Sequence, residues 1–251
     1  MSAPPTTRFD GKVALVTGSG RGMGRQNAIE LASRGADLII NYSRAAGPAD
    51  AVVAEIQKLG RKAIAIKADV SKPQETAAMF KQAMEHYGHL DIVVSNSGVE
   101  SFGHISEITP EEFDRVFSVN TRGQLFVAQQ AYEHLTDGGR LIMLSSISAQ
   151  ARGIANHAIY SGSKGAVEAF ARCLAVGRYQ SMFFVTKLSL TSITQTLAAR
   201  ISPSMQSLQA ESKRTCTQRL PDCIFPTKSP CQTKKSMTFV ISLQMWNDMI
   251  S

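Results

Sequence analysis

Residues Lys12 to Thr17 read K-V-A-L-V-T, and T-G-S-G-R-G-M-G follows from Thr17 to Gly24. An apolar run that ends in clustered glycines and opens into a helical pattern admits few folds. It predicts a buried parallel strand, a tight turn and a helix whose free N–H groups face an anion. Glycine lets the backbone turn sharply and come close to a pyrophosphate. The spacing of Gly18, Gly22 and Gly24 is G-x-x-x-G-x-G rather than the more general G-x-G-x-x-G. A dinucleotide site is expected here, with Gly18, Arg21, Gly22, Met23, Gly24 and Arg25 lining it.

Strand and helix patterns alternate through residue 176, which predicts an α/β fold with a Rossmann-like, doubly wound parallel sheet. After a helix over 23–34 come a strand at 37–41, a helix at 48–59 and a strand at 62–68. Ser71 and Pro73 open a helix to about Tyr87, and Asp91 to Ser95 is the fourth strand. Thr109-Pro110-Glu111-Glu112 starts a long helix to about Leu135, which Gly138-Gly139 should end. The fifth strand is read at 140–145 and a last helix at 157–176.

The N-terminal ten residues hold no apolar run, and no stretch has the length a membrane span needs, so a cytoplasmic protein is expected. The net charge of +7 invites a nucleic-acid reading, but its distribution argues against one. Residues 1–176 carry 18 Lys/Arg against 17 Asp/Glu, whereas residues 177–251 carry 9 against 3, scattered among Ser, Thr and Gln. No nucleic-acid or membrane partner is expected. Cys216, Cys223 and Cys231 match no common zinc spacing, and Cys173 is read as a small core residue, so no metal is expected.

Tyr160 and Lys164 lie in Y-S-G-S-K, with Ser146 fourteen residues upstream. An i, i+4 pair shares a helix face. A fixed ammonium beside a phenol would draw its pKa of about 10 toward neutrality and make it a working proton donor. Ser146 is expected to hold a substrate carbonyl against that phenol.

T-G-S-G-R-G-M-G, Asp69, N-S-G at Asn96 to Gly98, Asn120, Ser146 and Y-x-x-x-K together resemble a classical short-chain dehydrogenase/reductase. S-N-S-G-V-E-S-F-G-H, T-P-E-E-F-D-R-V-F, N-T-R-G-Q and H-A-I-Y-S-G-S-K-G-A are similar to the fungal polyketide ketoreductases: hydroxynaphthalene, versicolorin and emodin-type reductases. A fungal 17β-hydroxysteroid dehydrogenase is also similar. The resemblance runs from Phe9 to Val176. It implies Asn120, Ser146, Tyr160 and Lys164 as catalytic residues, Asn120 ordering a water that leads to Lys164. It implies Asp69 and Val70 at the adenine, and Asn96, Ser97, Gly98, Asn120, Tyr160 and Lys164 along the rest of the cofactor. The implied substrate is a polycyclic phenolic ketone of secondary metabolism, and the implied assembly a homotetramer or dimer.

NAD-selective sites place an acid after the second strand to hold the ribose 2′-hydroxyl. Asn41, Tyr42 and Ser43, expected to line the cofactor there, offer none, and Arg25 follows the glycine turn. Arg25 with Ser43, helped by Arg44, can hold a 2′-phosphate by charge-assisted hydrogen bonds, so NADP(H) is the expected cofactor.

The remaining third differs in kind. No glycine follows Gly177, and 20 of the last 75 residues are Ser or Thr. The sixth strand and Pro-Gly turn that the resemblance implies are not legible there. From Ile201 through Thr217, a frame shifted by one base is compatible, codon by codon, with such a segment. An intron running from the Gly177 codon to Gln195, with a length not divisible by three, would produce that shift. The expected organisation is an NADP-binding catalytic domain at 1–176 and a tail at 177–251, a retained intron at 177–195 followed by shifted frame. An inactive product is the alternative this leaves open.

Overall fold

The computed structural model describes residues 8–150, 153–176 and, as backbone, 183–188. Strand β1 spans Val13–Val16, β2 Asp37–Tyr42, β3 Ala63–Lys67, β4 Leu90–Ser95, β5 Leu135–Leu144 and β6 Phe183–Leu188. Between them lie α1 at Gly22–Ser33, α2 at Ala46–Lys58, α3 at Pro73–Tyr87, α4 at Pro110–Phe117, α5 at Gln124–His134 and α6 at Ala158–Val176. All strand pairs are parallel, in the order β3-β2-β1-β4-β5-β6. The expected doubly wound sheet is therefore present, and its winding reverses between β1 and β4. Ligands of such sheets bind at the carboxyl ends of the strands where the order reverses.

Alternation along the strands makes two cores. Ala14, Val16, Leu38, Ile40 and Val94 face α1 and α2, meeting Ala28, Leu31, Val52 and Ile56. Val13, Leu15, Ile39, Val93 and Leu141 face α3, α5 and α6, meeting Met79, Phe80, Val127 and Val167.

Three expectations need correcting. A sixth strand is present: Phe183–Leu188 pairs in parallel with Gly139 to Leu144 of β5. F-F-V-T-K-L is aromatic and β-branched, and the edge of β5 offers it a full row of unpaired backbone groups. The rest of the tail expectation lies outside the described residues. The long helix ends at His134, as expected to within a residue, but the glycines do not end it, because Leu135 is already extended and pairs with Leu90. Gly138, at φ 75°, instead sits within β5, beside the register shift opposite Leu90 and Ile92. Cys173 is exposed, not a core residue.

Candidate active site

The turn after β1 is tied to both neighbouring strands. The amide of Gly18 donates to Asn41 Oδ1 at 3.0 Å, and the amide of Ser19 donates to the Asn41 carbonyl at 2.9 Å. Asn96 Nδ2 donates to the carbonyls of Thr17 and Gly18 at 2.8 and 3.3 Å. Thr17 Oγ1, which the sequence did not single out, accepts from the amides of Asn96 and Ser97 at 2.9 and 3.0 Å. Gly18 has φ +62°, and a Cβ on Gly24 would lie 2.5 Å from Asn96 Nδ2 and from the Gly18 carbonyl. These glycines fold the turn tightly, while the exposed Arg21, Gly22 and Met23 leave its outer surface open.

The Asn41 side chain is engaged within the fold. It is 1% exposed, and its Nδ2 donates to the carbonyls of Ile66 and Ala68 at 3.3 and 3.0 Å. Its side chain ties β1, β2 and β3 together beneath the turn. Ser43 and Arg44 are exposed just beyond it, and Tyr42 is half-buried. Asp69 Oδ1 accepts from the amide and hydroxyl of Ser71 at 3.0 and 2.8 Å, shaping the entry to α3. Val70 is buried against Gly123, where a Cβ would meet the Val70 carbonyl at 3.0 Å.

Arg25 is paired. Its Nη2 lies 2.6 Å from Glu55 Oε2, an acid that reaches it from α2.

The proton-transfer candidates gather at the C-terminal ends of β4 and β5. Between α4 and α5 the helix widens into a π-helical turn over Ser118–Gly123, and fully buried Asn120 sits in it. Such turns re-aim side chains at the expense of regular helix. Asn120 Oδ1 accepts from the Val99 amide at 2.8 Å, and Nδ2 donates to the Val99 carbonyl at 2.8 Å and to Ser163 Oγ at 3.0 Å. Ser163 Oγ in turn donates to the Tyr160 carbonyl at 2.7 Å. Ser163 was legible only as the residue between Tyr160 and Lys164. A Cβ at Gly98 would stand 3.3 Å from Asn120 Oδ1 and 3.4 Å from Lys164 Nζ, so both side chains converge on the N-S-G loop.

Lys164 Nζ is 3% exposed at the residue level and donates to the Leu144 carbonyl at 2.9 Å. Burial pulls its pKa down to about 8. It lies 5.8 Å from the centroid of the Tyr160 ring. Burial raises the Tyr160 pKa, the Ser146 hydroxyl offsets part of that, and the Glu100 carboxylate raises it further. Lys164 is not among the groups that shift this phenol, and its ammonium is bonded to the Leu144 carbonyl. A raised phenol is fully protonated at neutral pH and is an acid in waiting. Ser146 Oγ lies 3.0 Å from Ser148 Oγ, at the start of a short turn that places it beside Tyr160.

One face of the Tyr160 ring is closed by His157, stacked at 4.5 Å, and His157 is itself stacked on Phe102 at 4.2 Å. Phe102 is 63% exposed, and Ile105 and Ile154 are also exposed at 70% and 43%. No pattern in the sequence marks this ring stack, since it joins two loops distant in the chain.

A doubly wound sheet with a glycine turn at its reversal point defines a Rossmann-type nucleotide-binding domain. The chain belongs to the short chain dehydrogenase family, whose pattern it matches over residues 12–203. It is 60% identical over 168 residues to the tetrahydroxynaphthalene reductase PfmaG of Pestalotiopsis fici, covering 67% of this chain and 61% of that protein. It is 56% identical over 176 residues to elsinochrome reductase 1 of Elsinoe fawcettii, covering 70% of this chain and 66% of that protein. The chain thus spans less than two thirds of the length of these relatives. Among solved structures it is similar to a short chain dehydrogenase from Burkholderia cenocepacia in complex with NADP. That likeness has a TM-score of 0.70 and 37% identity, and covers 72% of this chain and 74% of the other. No helix among the described residues is long and apolar enough to cross a membrane.

Proposed function

We propose that this chain carries the catalytic centre of an NADPH-dependent ketoreductase acting on a polycyclic phenolic ketone of hydroxynaphthalene or anthraquinone type. The observation that carries the proposal is that Asn120 and Lys164 converge on the N-S-G loop at the carboxyl end of β4, while Ser146 hydrogen-bonds Tyr160 one turn before Lys164 on α6. The name of one relative, a tetrahydroxynaphthalene reductase, supports the substrate class. The residues fit a nicotinamide dinucleotide: the turn is tight enough for close approach, its outer face is open, and Lys164 and Asn120 are buried beside the loop beyond it.

NADPH, when bound, supplies a hydride. Tyr160 holds the proton for the carbonyl oxygen, and its raised pKa keeps that proton in place at neutral pH. Ser146 orients the same oxygen and stabilises its developing charge. Lys164 contributes a buried positive charge near the ribose position, and Asn120 fixes the loop that frames it. A steroid-type secondary alcohol is the alternative substrate in the same chemistry. By family likeness the intact assembly is a dimer or tetramer, and the cytoplasm is its place of action.

We further propose that the catalytic domain ends near residue 176, with a retained intron at 177–195 and shifted frame beyond. The relatives match over 168 to 176 residues of this chain, and glycine ceases at 177. The β6 segment lies inside that stretch. A read-through peptide as apolar as F-F-V-T-K-L still pairs with an open parallel edge. The test is to read the cDNA across the codons for Val176 to Ile201, and to assay the spliced product and the 251-residue chain with NADPH and a bicyclic phenolic ketone. The expected result is a shorter transcript whose product turns over while the 251-residue chain does not. A transcript without a deletion, or turnover by the 251-residue chain equal to that of the spliced form, contradicts the intron. Absence of turnover in both contradicts the ketoreductase.

A further inference from the structure

The 2′-phosphate corner holds three arginines in unequal states. Arg21 and Arg44 are exposed and have no ion-pair partner among the described residues, whereas Arg25 is held at 2.6 Å by Glu55. The pair is half-exposed, at 36% and 40% of side-chain area, so it stands where solvent and a ligand can reach it. The sequence offers no acid after β2, but the fold supplies one from α2, thirty residues from Arg25. A carboxylate at that corner opposes a phosphate dianion by occupying the cation that would bind it.

Building on the NADPH assignment above, we propose that Glu55 is a specificity-determining residue that acts through Arg25, weakening the hold on a ribose 2′-phosphate. On binding, Arg25 Nη2 must exchange or share the Glu55 carboxylate for a phosphate oxygen. Replacing one charge-assisted bond by another gives Arg25 less net advantage than an unpaired arginine would have. Arg21 and Arg44 are left to carry selectivity that Arg25 would otherwise dominate. Removing the negative charge on Glu55 frees Arg25 without touching the phosphate-facing turn.

The test uses the 251-residue chain and two probes, 2′,5′-ADP and 5′-AMP, titrated calorimetrically near pH 7.5 at fixed salt. Wild type is expected to bind 2′,5′-ADP at least about tenfold more tightly, through charge-assisted bonds from Arg21 and Arg44. Glu55→Gln is expected to tighten 2′,5′-ADP about three- to tenfold, with 5′-AMP changed less than about twofold. In an Arg25→Gln background the same change should have little effect on either probe. Equal affinity of wild type for the two probes overturns the NADPH assignment and this proposal with it. A preference for 2′,5′-ADP that Glu55→Gln leaves unchanged or weakens overturns this proposal alone. So does an equal gain in the Arg25→Gln background, because Glu55 would then act directly on the phosphate.

Discussion

Tyr160→Phe in the spliced form is expected to lower turnover of a bicyclic phenolic ketone by about a thousandfold, within the range for loss of a positioned general acid. The variant deletes one oxygen and keeps the ring, so the stack on His157 at 4.5 Å is preserved. Ser163 contacts the Tyr160 backbone carbonyl rather than the phenol, so the link to Asn120 also survives. Affinity for NADPH should therefore stay within about threefold, because the phenol oxygen is a proton donor and not a major cofactor anchor. Wild-type turnover should also fall at high pH, as the phenol loses the proton it donates. Its raised pKa places that loss in the alkaline range, above the ordinary value for tyrosine. Steady-state assays beside a cofactor titration check both halves. Turnover within tenfold of wild type would mean that another group supplies the proton.

Lys164→Met has a large effect of opposite sign on stability and on function. Burial depresses the Lys164 pKa from 10.5 to about 8, so the ammonium is carried into the fold at a penalty. At about 1.36 kcal/mol per pH unit, that penalty is roughly 3 kcal/mol. The folded value lies below the unfolded one. The penalty is therefore complete below pH 8, fades as pH rises through the folded pKa, and is gone above the unfolded value of 10.5. Methionine fills the same channel without charge, and the Leu144 carbonyl keeps a donor in Gln124 Nε2 at 3.0 Å. The nucleotide-free variant should gain about 2–3 kcal/mol at pH 7, shrinking toward zero by pH 10.5, while NADPH affinity and turnover collapse. Denaturant melts of both proteins across this pH range measure it. A variant less stable than wild type at pH 7 would mean that the ammonium is a net support of the fold.

Such a trade is common where chemistry requires a buried charge: the fold tolerates local instability to keep a group poised. Asn41 is a contrasting case, a polar residue beside the expected nucleotide whose side chain is buried in hydrogen bonds to three strands. The two could not be separated from sequence, since each sits in a motif and only three-dimensional contacts tell a ligand from a strut.

The β/α alternation and the glycine turn were legible because strand and helix periods differ and because an apolar run ending in glycines has few solutions. Tyr160, Lys164 and Ser146 were legible as a spacing on one helix and an adjacent strand end. The Arg25–Glu55 pair was not, because local sequence reports charge along the chain rather than across helices. The π-helical turn at Asn120 was read as ordinary helix, since its periodicity departs from the regular one by a single residue. The sixth strand was missed because composition pointed away from the family, whereas pairing required only an open edge and a short apolar run.

The most direct test of the ketoreductase assignment follows one atom. NADPH carrying deuterium at the transferred C4 position is incubated with the spliced form and a bicyclic phenolic ketone, and the product is analysed by mass spectrometry and NMR. The account predicts an alcohol with one deuterium on the former carbonyl carbon, formed by wild type and nearly absent with Tyr160→Phe. NADPH that binds but leaves the ketone unreduced, or product with no label at that carbon, would contradict it.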